Sequence, residues 1–206
     1  MTTFRPESWD ANIWKSVVEG NEYGISGKWE GDVLDVGAHI GSFTYYAIEK
    51  LGARVVVAVE PDANNFALLT SNLQTYIGSG RVMPMNFAVS NAQRATLESE
   101  AIPIQNTGGV HYIPDENGEV ACIRLDELLS FLRPPVLLKI DCEGCEFEAL
   151  QTAGNLDAIT AIVGEYHCGR GDGNTLTLLR DLLVSRGFEF SNKGDENIGL
   201  FGAHRP

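Results

Sequence analysis

The stretch VLDVGAHIGSFTYY, residues 33–46, combines an acid, two glycines and the start of a helix-like run. Gly37 and Gly41 leave room where a ligand would approach the backbone, and glycine adopts positive φ readily. The N–H groups at the start of the following helix favour an anionic group. Glu60 ends the next apolar run, where an acid can accept hydrogen bonds from ribose hydroxyls. This spacing predicts a site for a cofactor that carries adenosine.

The interior of this turn distinguishes between two such cofactors. A dinucleotide site needs a second glycine two positions after the first, to admit the pyrophosphate. Here that position is His39, and Asp35 places a carboxylate two positions before Gly37. A carboxylate repels a pyrophosphate but suits the ammonium and sulfonium groups of S-adenosylmethionine. The turn therefore favours S-adenosylmethionine over NAD.

Composition bounds the class of protein. The chain has 206 residues, 44% of them apolar, and a formal net charge of −13. We expect a single domain over residues 1–206, with a lid or cap at 1–30 and a core at 31–206. The acidic charge disfavours a nucleic-acid partner. No run approaches the ~18 apolar residues of a membrane span, so we expect no membrane partner either.

The N-terminus lacks the apolar core of a secretory signal, so we expect a cytoplasmic protein. In that compartment the four cysteines, Cys122, Cys142, Cys145 and Cys168, should be reduced. The C-x-x-C spacing of Cys142 and Cys145 can bind zinc or perform redox chemistry. A second ligand pair is missing, so we interpret the two cysteines as incidental small residues around a glycine.

Strand-length apolar runs alternate with helix-length amphipathic runs along the chain. This alternation predicts an α/β fold, a mainly parallel sheet with helices on both faces. The last two strand-like runs predict an antiparallel hairpin that makes the sheet mixed, and Asn117-Gly118 predicts another hairpin turn. The main predicted strands are 32–36, 54–60, 81–89, 135–141 and 157–166, and the main predicted helices are 41–52, 61–78, 146–154 and 175–187.

Four segments resemble the FkbM family of S-adenosylmethionine-dependent methyltransferases. They occur in family order and are LDVGAHIGSFT (34–44), VVAVEPDANNFALLTSNL (56–73), RLDEL (124–128) and LLKIDCEGCEFEAL (137–150). The last segment, an acid after a strand followed by E-G-x-E, is the most specific. The resemblance implies a Rossmann-like class I methyltransferase fold and methyl transfer, usually to a hydroxyl group.

The resemblance also implies which residues contact the cofactor. Those of the first turn, nearest the methionine portion, are Asp35, Gly37, Ala38, His39, Gly41 and Thr44. Those expected around the ribose and adenine are Glu60, Pro61, Asp62, Asn86, Phe87 and Ala88. Asp141 is expected nearest the methyl group, with Glu143 and Glu146 shaping the acceptor side. The family usually has Asn at position 39, so His39 is either a cofactor contact or also a proton acceptor.

A hydroxyl acceptor benefits from a base, and we expect Asp141, Glu165 and His167 to be the catalytic residues. Asp141 could instead cap the following helix, and the other two could be ordinary loop residues. Asp141, Glu143 and a histidine could hold a divalent ion, but we expect no metal. The lid over the substrate should come from residues 1–28 and 102–118.

The sequence thus predicts a methyltransferase with S-adenosylmethionine as cofactor and a hydroxyl of a small molecule, such as a sugar or a secondary metabolite, as acceptor. Two alternatives stay open. One is an NAD-dependent oxidoreductase, which His39 and the absence of a Tyr-x-x-x-Lys pair disfavour. The other is a non-catalytic module that binds an adenosine cofactor. A homodimer formed through the aromatic N-terminal segment is possible.

Overall fold

A computed structural model describes residues 2–98, 105–169 and 173–206 of the chain. The α-helices are α1 (Asp10–Val18), α2 (Ser42–Tyr46), α3 (Ala63–Asn72), α4 (Gln74–Gly78), α5 (Leu125–Leu129), α6 (Glu146–Thr152) and α7 (Leu176–Ser185). A π-helical segment, Ala47–Leu51, continues α2. The strands are β1 (Asp32–Val36), β2 (Val56–Val59), β3 (Val82–Met85), β4 (Ala88–Val89), β5 (Arg94–Leu97), β6 (Tyr112–Pro114), β7 (Val120–Ile123), β8 (Val136–Ile140), β9 (Ile159–His167), β10 (Glu189–Gly194) and β11 (Ile198–His204). Across these residues every helix is too short or too polar to cross a bilayer.

The main sheet has seven strands in the order β10-β11-β9-β8-β1-β2-β3. β1 pairs in parallel with both β2 and β8, and β8 pairs in parallel with β9. β11 lies antiparallel to its two neighbours, β9 and β10. The predicted α/β fold, with a mostly parallel sheet and an antiparallel C-terminal strand, is confirmed.

Alternating side chains of the central strands enter two separate cores. Val33 and Leu137 belong to the core under α2, whereas Leu34 and Leu138 belong to the core under α6 and α7. Successive residues of a strand point to opposite faces, so strands that are apolar throughout must be covered on both sides. This arrangement confirms the predicted helices on both faces and places the carboxyl ends of β1 and β8 side by side.

The predicted strand at 81–89 is split between two sheets. β3 lies in the main sheet, and β4 lies in a four-stranded sheet of order β4-β7-β5-β6. The break falls at Asn86, whose Nδ2 donates to the carbonyl oxygens of Glu60 at 2.8 Å and Pro61 at 3.0 Å. These bonds turn the chain away from the main sheet beside the end of β2.

The hairpin predicted at Asn117-Gly118 is wrong. A turn does form, since Gly118 N donates to the carbonyl oxygen of Asp115 at 2.9 Å. However, β5 lies between β6 and β7 and pairs with both strands in the antiparallel sense. β6 and β7, which a hairpin would pair with each other, therefore each form their hydrogen bonds with β5.

Candidate active site

The first turn lies against the end of β8 with no side chain between them. Gly37 has φ +75°, and an added Cβ would overlap the carbonyl oxygen of Asp141. Gly41 precedes α2 with φ +93°, and a Cβ there would lie 2.8 Å from Leu73 Cδ1. Both glycines are needed for close approach as well as for positive φ.

Asp35 is fully buried near the end of β1 and stabilises this turn. Its Oδ2 accepts a hydrogen bond from Thr44 Oγ1 at 2.6 Å, and its Oδ1 lies 3.3 Å from Lys139 Nζ. The same ammonium donates to the carbonyl oxygens of Val36 at 3.1 Å and Gly37 at 2.6 Å. Burial would lower the pKa of Lys139, but the adjacent carboxylates, Asp35 first, outweigh it and raise that pKa. Lys139 therefore stays charged and holds the turn in place.

Glu60 lies at the end of β2, 5% exposed. It accepts hydrogen bonds from His39 N at 2.8 Å, Asp62 N at 3.0 Å and Asn65 Nδ2 at 3.2 Å. Burial raises its pKa to about 7 despite these donors. Asp62 caps α3, where its Oδ1 accepts from the backbone N–H groups of Asn64 and Asn65.

His39 connects the turn to both predicted lid segments. Its Nε2 lies 3.2 Å from Arg5 Nη2, 2.9 Å from Thr107 Oγ1 and 3.6 Å from Asp10 Oδ1. Burial lowers the pKa of His39 to about 4, so the ring is neutral and weakly basic near pH 7. Burial would raise the pKa of Asp10, but hydrogen bonds from Arg5 and Thr107 hold it well below its usual range. These contacts favour a structural role for His39 over that of a proton acceptor.

Two cavities meet at the first turn, and Gly37 lines both of them. The smaller cavity has a volume of about 100 Å³. Its lining includes three residues predicted to contact the adenosine, Pro61, Phe87 and Ala88. The larger, of about 760 Å³, is lined by Gly37 and His39 on one side and by the predicted catalytic residues on the other. Asn86 lines neither cavity and instead binds the end of β2.

The two predicted lid segments both contribute to the larger cavity. Trp9, Ile13 and Tyr23 line it from the N-terminal segment, and Asn106 and Gly108 line it from the other. Residues 102–104 of the predicted lid lie outside the described residues. The described parts of both segments therefore cover the end of the sheet at which the turn lies.

The three predicted catalytic residues converge in the larger cavity. One side-chain atom from each of Asp141, Glu165 and His167 lies within 4.8 Å of the other two. Tyr23 donates its hydroxyl hydrogen to Asp141 Oδ2 at 2.7 Å. His167 Nε2 lies 3.2 Å from Glu143 Oε2 and 3.8 Å from Glu165 Oε2. These groups lie at the carboxyl ends of β8 and β9.

The electrostatics of this group differ from residue to residue. Burial, followed by the charge of Asp141, raises the pKa of Glu165 to about 7. Burial would lower the pKa of His167, but Glu146 and the other carboxylates raise it to about 9. With no cation bound, the imidazole of His167 is therefore positively charged near pH 7.

Cys142 and Cys145 form a disulfide, which corrects the expectation of reduced, incidental thiols. Glu143 and Gly144 between them have φ +58° and +118°, and this tight turn brings the two Cα atoms to 5.5 Å. Glu146 Oε1 accepts a hydrogen bond from Cys142 N at 2.9 Å. The E-G-x-E motif thus forms a closed turn beneath His167.

Sequence reasoning missed several polar residues of the site, among them Lys139 and Tyr23. A signal for Lys139 was present, because a lysine in the middle of the apolar run VLLKI requires a buried acid nearby. Tyr23 carried no signal, since its partner Asp141 is 118 positions away.

Comparison with known proteins decides the family. Residues 35–190 match the family described as the methyltransferase FkbM domain. The chain belongs to the FkbM methyltransferase family. S-adenosylmethionine is accordingly its cofactor, and the alternative of an NAD-dependent oxidoreductase is not supported. No curated protein shows a significant match to the sequence.

Solved structures show the fold of this FkbM methyltransferase independently. The methyltransferase FkbM from Methylobacillus flagellatus KT is 14% identical with a TM-score of 0.58, over 92% of this chain and 47% of that one. The chain thus spans about half the length of that protein. The precorrin-6y C5,15-methyltransferase from Geobacter metallireducens GS-15 is 12% identical with a TM-score of 0.55, over 100% of this chain and 94% of that one. At these identities the likeness is one of fold.

The turn also fits the cofactor of an FkbM methyltransferase chemically. His39 Nδ1 is buried and has no hydrogen-bond partner among the described residues. Buried polar atoms usually have a partner, and His39 lines the larger cavity. Glu60 and the turn could therefore hold the ribose and the methionine portion, with the adenine beside Pro61 and Phe87.

Proposed function

We propose that this FkbM methyltransferase transfers a methyl group to a hydroxyl of a small molecule. The observation that carries the proposal is the position of Asp141. Its backbone contacts the cofactor turn at Gly37, and its side chain opens into the larger cavity beside Glu165 and His167. A carboxylate in that position can take the proton of a hydroxyl acceptor bound next to the methyl donor.

Each part of the site contributes one function to this reaction. Bound S-adenosylmethionine supplies an electrophilic methyl group on its sulfonium. Asp141 accepts the proton of the acceptor hydroxyl, and Tyr23 fixes the orientation of that carboxylate by its hydrogen bond. The lid segments exclude water and hold the acceptor oxygen in line with the methyl carbon, which is where most of the rate gain would arise.

The size and charge of the cavity support a small acceptor. A volume of about 760 Å³ lies in the range of sites for small molecules, roughly 300–1,000 Å³. The net charge of −13 disfavours an RNA or DNA acceptor. The homodimer stays a prediction. Trp14 packs against Tyr45 with ring centroids 5.1 Å apart, while Trp9 is 45% exposed and available for such a contact.

Calorimetric titration with S-adenosylhomocysteine tests the cofactor half of the proposal, with NAD in a parallel titration. We expect binding of S-adenosylhomocysteine and none of NAD, with a clear loss of affinity in Glu60→Ala. Glu127→Ala, an exposed glutamate on α5, is the matched control and should bind as the parent does.

A screen of hydroxyl-bearing acceptors with methyl-labelled cofactor tests the acceptor half. Transfer to a sugar or other alcohol, lost in Asp141→Asn while cofactor binding is retained, would support the proposal. Tight cofactor binding with no transfer to any alcohol would instead indicate the non-catalytic module.

A further inference from the structure

We propose that Asp141, Glu165 and His167 bind a divalent cation of the Mn²⁺ or Mg²⁺ type at the acceptor end of the larger cavity. One potential ligand atom of each residue lies within 4.8 Å of the other two. Around an ion with metal–ligand distances of ~2.2 Å, neighbouring ligands lie roughly 3 to 4.4 Å apart. The three side chains are thus close to ligand spacing before any ion binds.

The orientation of His167 is that of a metal ligand. Its Nε2 faces the cavity, 3.2 Å from Glu143 Oε2 and 3.8 Å from Glu165 Oε2, and its Nδ1 faces Glu146 Oε1 at 3.5 Å on the opposite side of the ring. Metal-binding histidines usually direct their second nitrogen at a carboxylate or carbonyl, which fixes the ring. Glu146 is fully buried and is itself held by the backbone N–H of Cys142, so it can provide this support.

Burial holds both side chains of this pair in place. His167 is 5% exposed and Glu146 is 0% exposed, so neither side chain can turn towards solvent. The imidazole is therefore fixed with Nε2 towards the cavity and Nδ1 towards Glu146.

The charge around the cavity also fits a cation. Four carboxylates line it, those of Glu22, Asp141, Glu143 and Glu165. The buried ammonium beside them, Lys139, is already paired with Asp35 and with two backbone carbonyls. Tyr23 donates its hydrogen bond to Oδ2 of Asp141, so the carboxylate has a second oxygen that can serve as a ligand. A ligand set of two carboxylates and one imidazole suits Mn²⁺ and related divalent ions.

Such an ion would activate the acceptor. It binds the hydroxyl oxygen and stabilises the negative charge as the O–H bond breaks, and the proton passes to Glu143. The oxygen then forms a bond to the methyl carbon, the carbon–sulfur bond breaks, and S-adenosylhomocysteine leaves. The ion is neither oxidised nor reduced. With the ion bound, Asp141 would be its ligand, and Glu143 would replace Asp141 as the proton acceptor named in the proposed function. This role rests on the proposed function, but the binding of the ion does not.

Electron paramagnetic resonance of free Mn²⁺, titrated against the full chain without cofactor or acceptor, tests the site directly. We expect one bound Mn²⁺ per chain, displaced by excess Mg²⁺, with affinity at least tenfold weaker in Glu165→Gln and in His167→Ala. The matched controls are Glu189→Gln and His204→Ala, which break an exposed glutamate–histidine pair 3.4 Å apart on β10 and β11. Both controls should bind Mn²⁺ as the parent does.

S-adenosylhomocysteine binding by each variant shows that it is folded and separates the two proposals. Mn²⁺ affinity that is equal in the parent, Glu165→Gln and His167→Ala, with cofactor product still bound, would overturn the metal site. Mn²⁺ bound at this site in a protein that methylates no alcohol would support the metal site while the proposed O-methylation fails.

Discussion

Tyr23 and Asp141 are joined by a 2.7 Å hydrogen bond that spans 118 positions of sequence. The bond links the N-terminal lid segment to the end of β8, where the acceptor is expected. Tyr23 belongs to the lid segment and also orients the Asp141 carboxylate. A change in the order of the lid should therefore change the orientation of that carboxylate.

Tyr23→Phe should therefore lower the free energy of unfolding by about 1.5–3 kcal/mol, the range for a hydrogen bond to a charged group. The loss should be measured by urea unfolding. Tyr46→Phe is the matched control, since its hydroxyl donates to the neutral carbonyl oxygen of Ile25 at 2.9 Å and should cost only about 0.5–1.5 kcal/mol. A smaller loss in Tyr23→Phe than in Tyr46→Phe would contradict the importance assigned to this bond.

Gly37→Ala should destabilise the protein far more than Gly80→Ala. The two glycines have nearly equal φ, +75° and +74°. A Cβ added at Gly37 would overlap the Asp141 carbonyl, whereas a Cβ added at Gly80 would have no atom within 4 Å. The Gly80 change should cost about 1–2 kcal/mol for the left-handed backbone, and the Gly37 change about 1–3 kcal/mol more for overpacking. Equal costs in chemical denaturation would show that β1 and β8 can separate at this point.

Affinity for S-adenosylhomocysteine should fall as the pH falls below 7. Burial holds the pKa of Glu60 at about 7, and its ionised form is the better acceptor for ribose hydroxyls. The dissociation constant should therefore rise about tenfold between pH 8 and pH 6. In Glu60→Gln, binding should be weaker but independent of pH across this range. If the affinity of the parent protein did not depend on pH, the ribose would not be bound by Glu60.

His39→Asn should keep cofactor binding but loosen the lid. Asparagine tolerates the φ of +50° found at His39, yet its shorter side chain cannot reach Arg5 and Thr107. We expect faster hydrogen exchange in residues 2–18 and 105–109, with S-adenosylhomocysteine affinity within about threefold. His204→Asn, on an exposed strand end, should exchange as the parent does. Unchanged exchange in His39→Asn would show that the lid is held by other contacts.

Much of this architecture follows from local pattern. Strands such as VVAV (β2) are apolar at every position, so they predict burial on both faces and hence a parallel sheet. Asp141, Glu165 and His167 could be placed together because the carboxyl ends of parallel strands meet at one edge. The order in which β5, β6 and β7 pair depends on tertiary contacts, and the Asn117-Gly118 turn contains no information on it.

Side-chain networks were less predictable than the backbone. Position 39 was identified as unusual, but its partners Arg5, Asp10 and Thr107 come from two distant segments with no periodic signal. The Cys142–Cys145 bond depends on the positive φ of Glu143 and Gly144, which a C-x-x-C spacing alone does not reveal. Asn86 binds the carbonyl oxygens of Glu60 and Pro61, contacts that its sequence context does not reveal, and its position beside adenine stays a prediction.

The close approach at Gly37 has a consequence for how this enzyme could be redesigned. The turn at residues 35–41 and the end of β8 are in direct backbone contact, so a substitution that changes the shape of one must move the other. The lid segments 2–28 and 105–118 are attached mainly through side chains such as His39 and Tyr23. Libraries that vary those segments should thus yield new acceptor preferences while the donor half stays intact, whereas libraries centred on residues 35–41 should mostly yield proteins that fail to fold.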